Sequence, residues 1–273
     1  MEKLKRTERI AAIMNILIAN PNRIFTLSHF CEKFGTAKST CSEDIEIIKK
    51  SITKFRLGHL DTVSGAAGGV RYRHAMSLGD AYTFIKDLCD NLSSETRVLT
   101  GGFLYLSDIL SMPNITRRMG IIIADMFYGH SPDFILTMET KGIPVALMTA
   151  EALNVPLVIA RHSSKVYEGP TVSINYVSGS SGRIDTMSLP RRAVKAGQKA
   201  LIVDDFLKAG GTAKGMLDLM QEFNCEVVGK AFVMSTEEPK KKQISGEISL
   251  MTLNNSDSLN GRLIVKPSAW LMK

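Results

Sequence analysis

ALIVDDFLKAGGT, residues 200–212, is an apolar run that ends in two adjacent carboxylates, Asp204 and Asp205, and passes into a glycine-rich stretch closing on Thr212. The order reads as a strand, a turn and the start of a helix near Ala213. Vicinal carboxylates accept hydrogen bonds from neighbouring hydroxyls. Backbone amides at a helix start, with the Thr212 hydroxyl, suit a phosphate. Gly210 and Gly211 allow close backbone approach because no Cβ intervenes. Together these features fit a ribose 5-phosphate.

Each part alone is ordinary. Two aspartates after a strand commonly start a loop or cap a helix, and Gly-Gly-Thr is a common turn. Their order at a strand-to-helix switch is the informative element. The run is not a phosphate loop of the GxxxxGK[ST] kind, and it is not a GxGxxG fingerprint. It resembles the phosphoribosyl-diphosphate (PRPP) motif of the type I phosphoribosyltransferases: apolar strand, two acids, four-residue spacer, Gly-Thr.

The flanking sequence predicts alternating elements: helix 113–127, strand 133–138, helix 143–153, strand 156–160, a loop or extended hairpin over 165–190, strand 200–204, a helix after Thr212 and strand 227–234. Short strands at 250–253 and 263–265 are possible members of a small cap. Strands separated by helices of this length predict an α/β fold, a parallel sheet with helices on both faces. In such sheets ligands sit at the carboxyl ends of the strands. Two further loops leave those ends. TMETKGIP, 137–144, puts Glu139, Thr140, Lys141 and Gly142 at a strand-to-helix turn, where free amides and an ammonium suit a pyrophosphate. VSINYVSGSSGRIDTMSL, 172–189, carries Tyr176 and lies where the transferases keep a mobile lid.

At 273 residues and 44% apolar composition, the chain is long enough for two domains with proper cores. No apolar run approaches a membrane span, and MEKLKRTERI lacks the apolar stretch of a secretory signal. Cys31, Cys41, Cys89 and Cys225 show no metal-binding spacing and read as reduced packing residues, which predicts a cytoplasmic protein without a metal site. Charge is unevenly spread. Residues 1–74 hold 13 Lys and Arg against 7 Asp and Glu, whereas residues 75–273 hold 21 against 20. A basic segment on a nearly neutral body suits a polyanionic partner for that segment alone.

Residues 5–19 place Ile10, Ile13, Met14, Leu17 and Ile18 at helical spacing, ended by Asn20-Pro21-Asn22. Thr26 predicts the cap of a second helix that Gly35 ends. A third, from Ala37 or Lys38, is expected to turn Ile45, Ile47 and Ile48 inward. Residues 58–74 then form a hairpin around Gly65–Gly69. Three helices and a basic hairpin describe a winged helix over 1–74, ahead of a domain at 75–273. Thr36, Ser39 and Thr40 are the candidates for base edges. Lys3, Lys5, Arg6, Lys38, Arg71 and Arg73 are the candidates for phosphates of double-stranded DNA.

A winged helix joined to a segment containing EGPTVSINYVSGSSGRIDTMSL and DDFLKAGGT resembles the PurR family of purine operon regulators of Gram-positive bacteria. The resemblance implies a homodimeric transcription factor at promoters of purine genes. Its effector would be PRPP with Mg2+, opposed by competing purine nucleotides, and the transferase-like domain would be catalytically inactive. By the same resemblance, Asp204 and Asp205 take the ribose hydroxyls and Ala209, Gly210, Gly211 and Thr212 the 5-phosphate. Lys141 with Thr140 and Gly142 faces the diphosphate, and Phe206, Lys208 and Tyr176 complete the set. Two departures set the chain apart from xanthine phosphoribosyltransferases: GSSGR, with Arg183, replaces a lysine-bearing lid, and Lys208 stands where a small residue is usual. An active purine phosphoribosyltransferase of xanthine or adenine type, with an appended nucleic-acid-binding domain, is the alternative.

Overall fold

A computed structural model describes residues 4–65, 68–99, 103–163, 169–178, 182–254 and 263–272. Lys3, residues 66–67 of the expected hairpin tip and residues 179–181 of the expected lid lie outside the described residues. The chain divides into two compact units. One comprises residues 1–77 with 151–154, and the other residues 78–150 and 155–273.

In the first unit, α1 (Arg6–Ala19), α2 (Leu27–Phe34) and α3 (Lys38–Lys54) accompany a three-stranded antiparallel sheet. Its strands, in the order β1-β3-β2, are β1 (Ile24–Phe25), β2 (His59–Val63) and β3 (Gly69–Arg73). The Thr26 hydroxyl accepts the His29 amide at 3.1 Å, and Gly35 closes α2 in the left-handed region. Ile13, Leu17, Phe30, Ile48 and Ile52 are fully buried in one core with Val70 and Tyr72. Each such side chain contributes about 1.5–3 kcal/mol relative to exposure. Two sequence expectations change here. Ile47 is 38% exposed, while Ile45, Ile48 and Ile52 fill the core. The residues facing inward on α3 follow the i, i+3, i+4 rule from Cys41, and Ile47 falls off that stripe. The short strand β1, too brief for a periodicity signal, was not foreseen.

The second unit opens with α4 (Leu78–Leu92), also unforeseen, whose Phe84, Ile85, Leu88 and Leu92 are buried. After a small hairpin, β4 (Val98–Leu99) and β5 (Phe103–Leu104), and the short helix α5 (Ser107–Leu110), come α6 (Pro113–Phe127), β6 (Phe134–Met138), α7 (Ile143–Leu153) and β7 (Leu157–Ala160). The antiparallel pair β8 (Thr171–Val177) and β9 (Ile184–Pro190) is followed by β10 (Lys199–Leu207), α8 (Gly211–Glu222), β11 (Glu226–Thr236), β12 (Ile248–Asn254) and β13 (Ile264–Pro267).

The six-stranded sheet runs β13-β12-β11-β10-β6-β7. Five strands are parallel, and β13 adds an antiparallel edge. Residues after 235 thus extend the main sheet instead of forming a cap. Strand alternation divides the helices between the faces. Leu136, Ile202, Met216 and Leu219 share a core, which sets α8 on one face. On the other face Leu201 pairs in register with Gly229, and a Cβ on Gly229 would overlap the Phe127 ring of α6.

Candidate sugar-phosphate site and nucleic-acid interface

β10 is longer than its apolar run. Ladder pairing with β11 continues through Asp204 opposite Phe232 and Leu207 opposite Ser235, so both carboxylates lie within the strand and not after it. The backbone then turns at Gly210, whose φ of 88° lies where glycine is favoured, and α8 begins at Gly211. Thr212 therefore stands in the first helical turn, two positions beyond the cap. Amides of that turn have no partner within the helix and point at whatever occupies the loop. Ala209, Gly210, Gly211 and Thr212, with Asp204, Phe206 and the exposed Lys208, line a cavity of ≈ 210 Å³.

A second cavity, ≈ 170 Å³, is lined by Thr140, Tyr176, Asp204, Asp205, Phe206 and Thr212, together with Met138, Glu139 and His162. Asp204 and Thr212 border both cavities, so they form one groove along the carboxyl ends of β6 and β10. Gly142 is held against Asp204, where a Cβ would overlap the carboxylate. Lys141 is exposed, and its charge acts on Asp205. His162, beside the Glu139 already placed at this turn, has no signal in the sequence. The His162 amide donates to Glu139 Oε1 at 2.7 Å and Arg161 lies 3.6 Å from the same carboxylate, so the β7 end braces the 139–142 turn. Only parallel pairing of β6 with β7 brings Glu139 and His162 together; no linear motif marks them.

Asp204 is 6% exposed and accepts from the Thr137 hydroxyl at 3.3 Å. Burial, reinforced by the neighbouring Asp205 charge, pushes its carboxyl well above the usual aspartate range. Burial also raises Asp205, with the Lys141 ammonium opposing. A ligand that donates hydroxyl hydrogens to this pair would favour the ionised forms. Among the described residues, no cluster of three or more His, Cys, Asp or Glu could hold a metal ion. Three thiols, of Cys41, Cys89 and Cys225, are buried, and desolvation pushes Cys41 up to about 11 and Cys89 up to about 12.

In the first unit, Lys38 and Ser39 are exposed at the start of α3, with Thr36 and Thr40 half-buried beside them. Lys5 is exposed at the start of α1. Three other candidate cations are engaged internally. Arg6 pairs with Asp44 and Glu43, each at 3.1 Å. Arg73 lies 3.1 Å and Arg71 4.0 Å from Asp61, which neutralises part of the charge that the hairpin presents. None of these partners was apparent from sequence, because each is brought in from another element.

A winged helix and a phosphoribosyltransferase-type sheet in one chain define a class: transcription regulators built on a transferase fold. Residues 5–73 match the model described as bacterial purine repressor, N-terminal, and residues 106–261 match the phosphoribosyl transferase domain. The chain is 46% identical over 266 residues to the probable purine biosynthesis transcriptional regulator PurR of Streptococcus pneumoniae, covering 97% of this chain and 96% of that protein. It is 44% identical to the purine biosynthesis transcriptional repressor PurR of Bacillus subtilis, over 92% and 88% of the two chains. It is 37% identical to the purine biosynthesis transcriptional activator PurR of Lactococcus lactis, over 96% and 97%. The chain belongs to the PurR family of purine biosynthesis transcriptional regulators. No helix among the described residues is long and apolar enough to cross a membrane.

Proposed function

We propose that this regulator binds promoter DNA of purine genes through its winged helix and takes PRPP as effector in the β10–α8 groove, without transferase turnover. One observation carries the reading: a buried carboxylate, its half-buried neighbour and the open amides of a helix start border one groove, a pairing that matches vicinal hydroxyls plus a phosphate. Asp204 and Asp205 accept from the ribose hydroxyls, Ala209 to Thr212 cradle the 5-phosphate, and Thr140 to Gly142 face the diphosphate. Lys208 adds a cation at the phosphate end. Asp204 and Asp205 would be the carboxylates available to Mg2+ carried in by the ligand's diphosphate. Purine nucleotides, which carry a ribose phosphate, compete for the same cradle.

Regulation is linkage. PRPP alters operator affinity only to the extent that it binds the DNA-competent and incompetent conformers differently. A coupling of about 1–3 kcal/mol gives a roughly 5- to 150-fold change. Relatives named as repressor and activator leave the sign to experiment. We take the functional unit to be a homodimer, which would read operators made of two half-sites.

The test is a promoter-fragment titration with and without PRPP and Mg2+, paired with an assay for pyrophosphate release from PRPP with adenine, guanine, xanthine or hypoxanthine. A PRPP-dependent shift in operator affinity without turnover is expected. Robust turnover with any base establishes the enzymatic alternative instead.

A further inference from the structure

Two kinds of contact join α1 to α3 in the first unit. Ile13 and Leu17 of α1 share a core with Cys41, Ile48 and Ile52 of α3, all fully buried. At the first turn of α1 the contact changes character. The fully buried Asp44 accepts from Arg6 Nε through Oδ1 at 3.1 Å and from Arg9 Nε through Oδ2. Arg9 is buried with it, while Arg6 is half-exposed and also reaches Glu43 at 3.1 Å.

Local chemistry runs against this arrangement. Both arginines stand in the first turn of α1, where the helix dipole disfavours cations. A buried ion pair also contributes little net stability, because apolar residues of similar volume commonly hold a core as well or better. What the pair adds is direction. A carboxylate gripped through both oxygens by planar guanidiniums admits one rotation of α3, whereas methyl contacts repack at small cost.

That rotation bears on the residues that face DNA. Thr26 caps α2 through its hydroxyl, whereas Ala37 at the cap of α3 offers no side-chain bond. Asp44 lies one helical turn after Thr40 and within two turns of Lys38 and Ser39. Turning α3 by about 20° moves a side chain roughly 5 Å from the axis by about 2 Å. Hydrogen bonds to base edges fail over that distance, since donor and acceptor must meet within a few tenths of an ångström. Attraction to phosphates barely changes, because its range is about 10 Å.

We infer that Arg9 and Asp44 are positioning residues for sequence readout: the buried pair pins the rotation of α3 so that Ser39 and Thr40 meet base edges. The inference rests on the proposed binding of promoter DNA by the winged helix, and it assigns sequence preference to a contact buried inside that unit.

The test compares the affinity of the full-length protein for a purine-gene promoter fragment and for a scrambled duplex of equal length. Arg9→Met with Asp44→Leu replaces the pair by apolar side chains of similar volume, and Arg6 keeps Glu43. The variant should melt near or above the parent. Affinity for the scrambled duplex, which phosphate contacts carry, should stay within about threefold of the parent. Preference for the promoter should fall at least about tenfold, the discrimination of one good base contact. Arg9→Lys keeps the buried charge without the planar group, so it decides the matter if the apolar pair does not fold; it too should lose promoter preference. A folded variant that keeps the parent's preference overturns the inference. A parallel fall in affinity for both duplexes also overturns it, by marking the pair as a support of the fold alone. A parent protein without promoter preference overturns the DNA reading and the inference together.

Discussion

Each unit buries one aspartate almost completely, and the two are treated in opposite ways. Asp44 of α3 is fully buried and met by Arg9, itself 8% exposed, and by Arg6. Asp204 of β10 is 6% exposed and met by a threonine hydroxyl and a second carboxylate. The first charge is compensated inside the fold, and contact with Asp44 raises the Arg9 guanidinium further above its usual value. The second is left poorly compensated. On the function proposed above, this poorly compensated carboxyl is kept for a partner from outside. The contrast separates an internally paired aspartate from one without a cationic partner of that kind, without reference to motif.

The largest expected effect breaks the compensated pair. Asp44→Ala leaves Arg9 buried and unpaired, at a cost of about 3–5 kcal/mol to the winged-helix unit. Circular dichroism melts should show an early transition, and operator binding should fail at temperatures where the parent binds. If Asp44→Ala melts like the parent, Asp44 and Arg9 do not hold α1 on α3.

The uncompensated pair should respond in function. Asp204→Asn with Asp205→Asn is expected to abolish the PRPP effect on operator affinity, a loss of about 1–3 kcal/mol of coupling, while DNA binding without PRPP stays near the parent value. Loss of basal operator affinity in the double variant instead marks these carboxylates as supports of the fold.

Stability should move the other way. A carboxyl raised in the native state stabilises the fold below the ordinary aspartate range, and that contribution is lost as pH rises through the raised native value. Asp204→Asn removes this loss, so the variant should melt above the parent at pH 8, by ~2–4 °C for each kcal/mol regained, and the gap should close at acid pH. PRPP affinity of the parent should strengthen over the same rise in pH, with protons released on binding, because hydroxyl donors favour the ionised pair. A Tm difference that ignores pH removes Asp204 from that account.

The smallest effects lie at the surface. Lys38→Ala should reduce the slope of log affinity against log salt by about 1, uniformly across sequences. Arg73→Ala should change it less, because Asp61 already offsets its charge. Equal slopes for both variants show that Asp61 releases Arg73 to DNA.

Legibility followed the range of the interactions. Caps and turns at Thr26, Gly35 and Gly210 are set by one or two residues, and α6, at Pro113–Phe127, matches its expected bounds. The acids of the DDFLKAGGT run could be placed near a phosphate loop because strand, turn and helix follow one another directly. What failed was longer-ranged. β10 runs past its apolar stretch because β11 continues to offer ladder partners, so hydrogen bonding, not composition, decides where it stops. The final residues join the sheet for the same reason.

The chain by itself established two differently charged domains, a winged helix, an α/β sheet and the two acids beside a glycine-rich loop, since periodicity and local backbone preference write these into neighbouring residues. Tertiary structure alone decided which charges stay available. Arg6, Arg71 and Arg73 lose part of theirs to acids on other segments, Asp204 stays uncompensated in its groove, and Tyr176 is seated on a glycine 39 positions along the chain. Coulombic and packing forces act through space, and no linear spacing records which distant side chain will arrive.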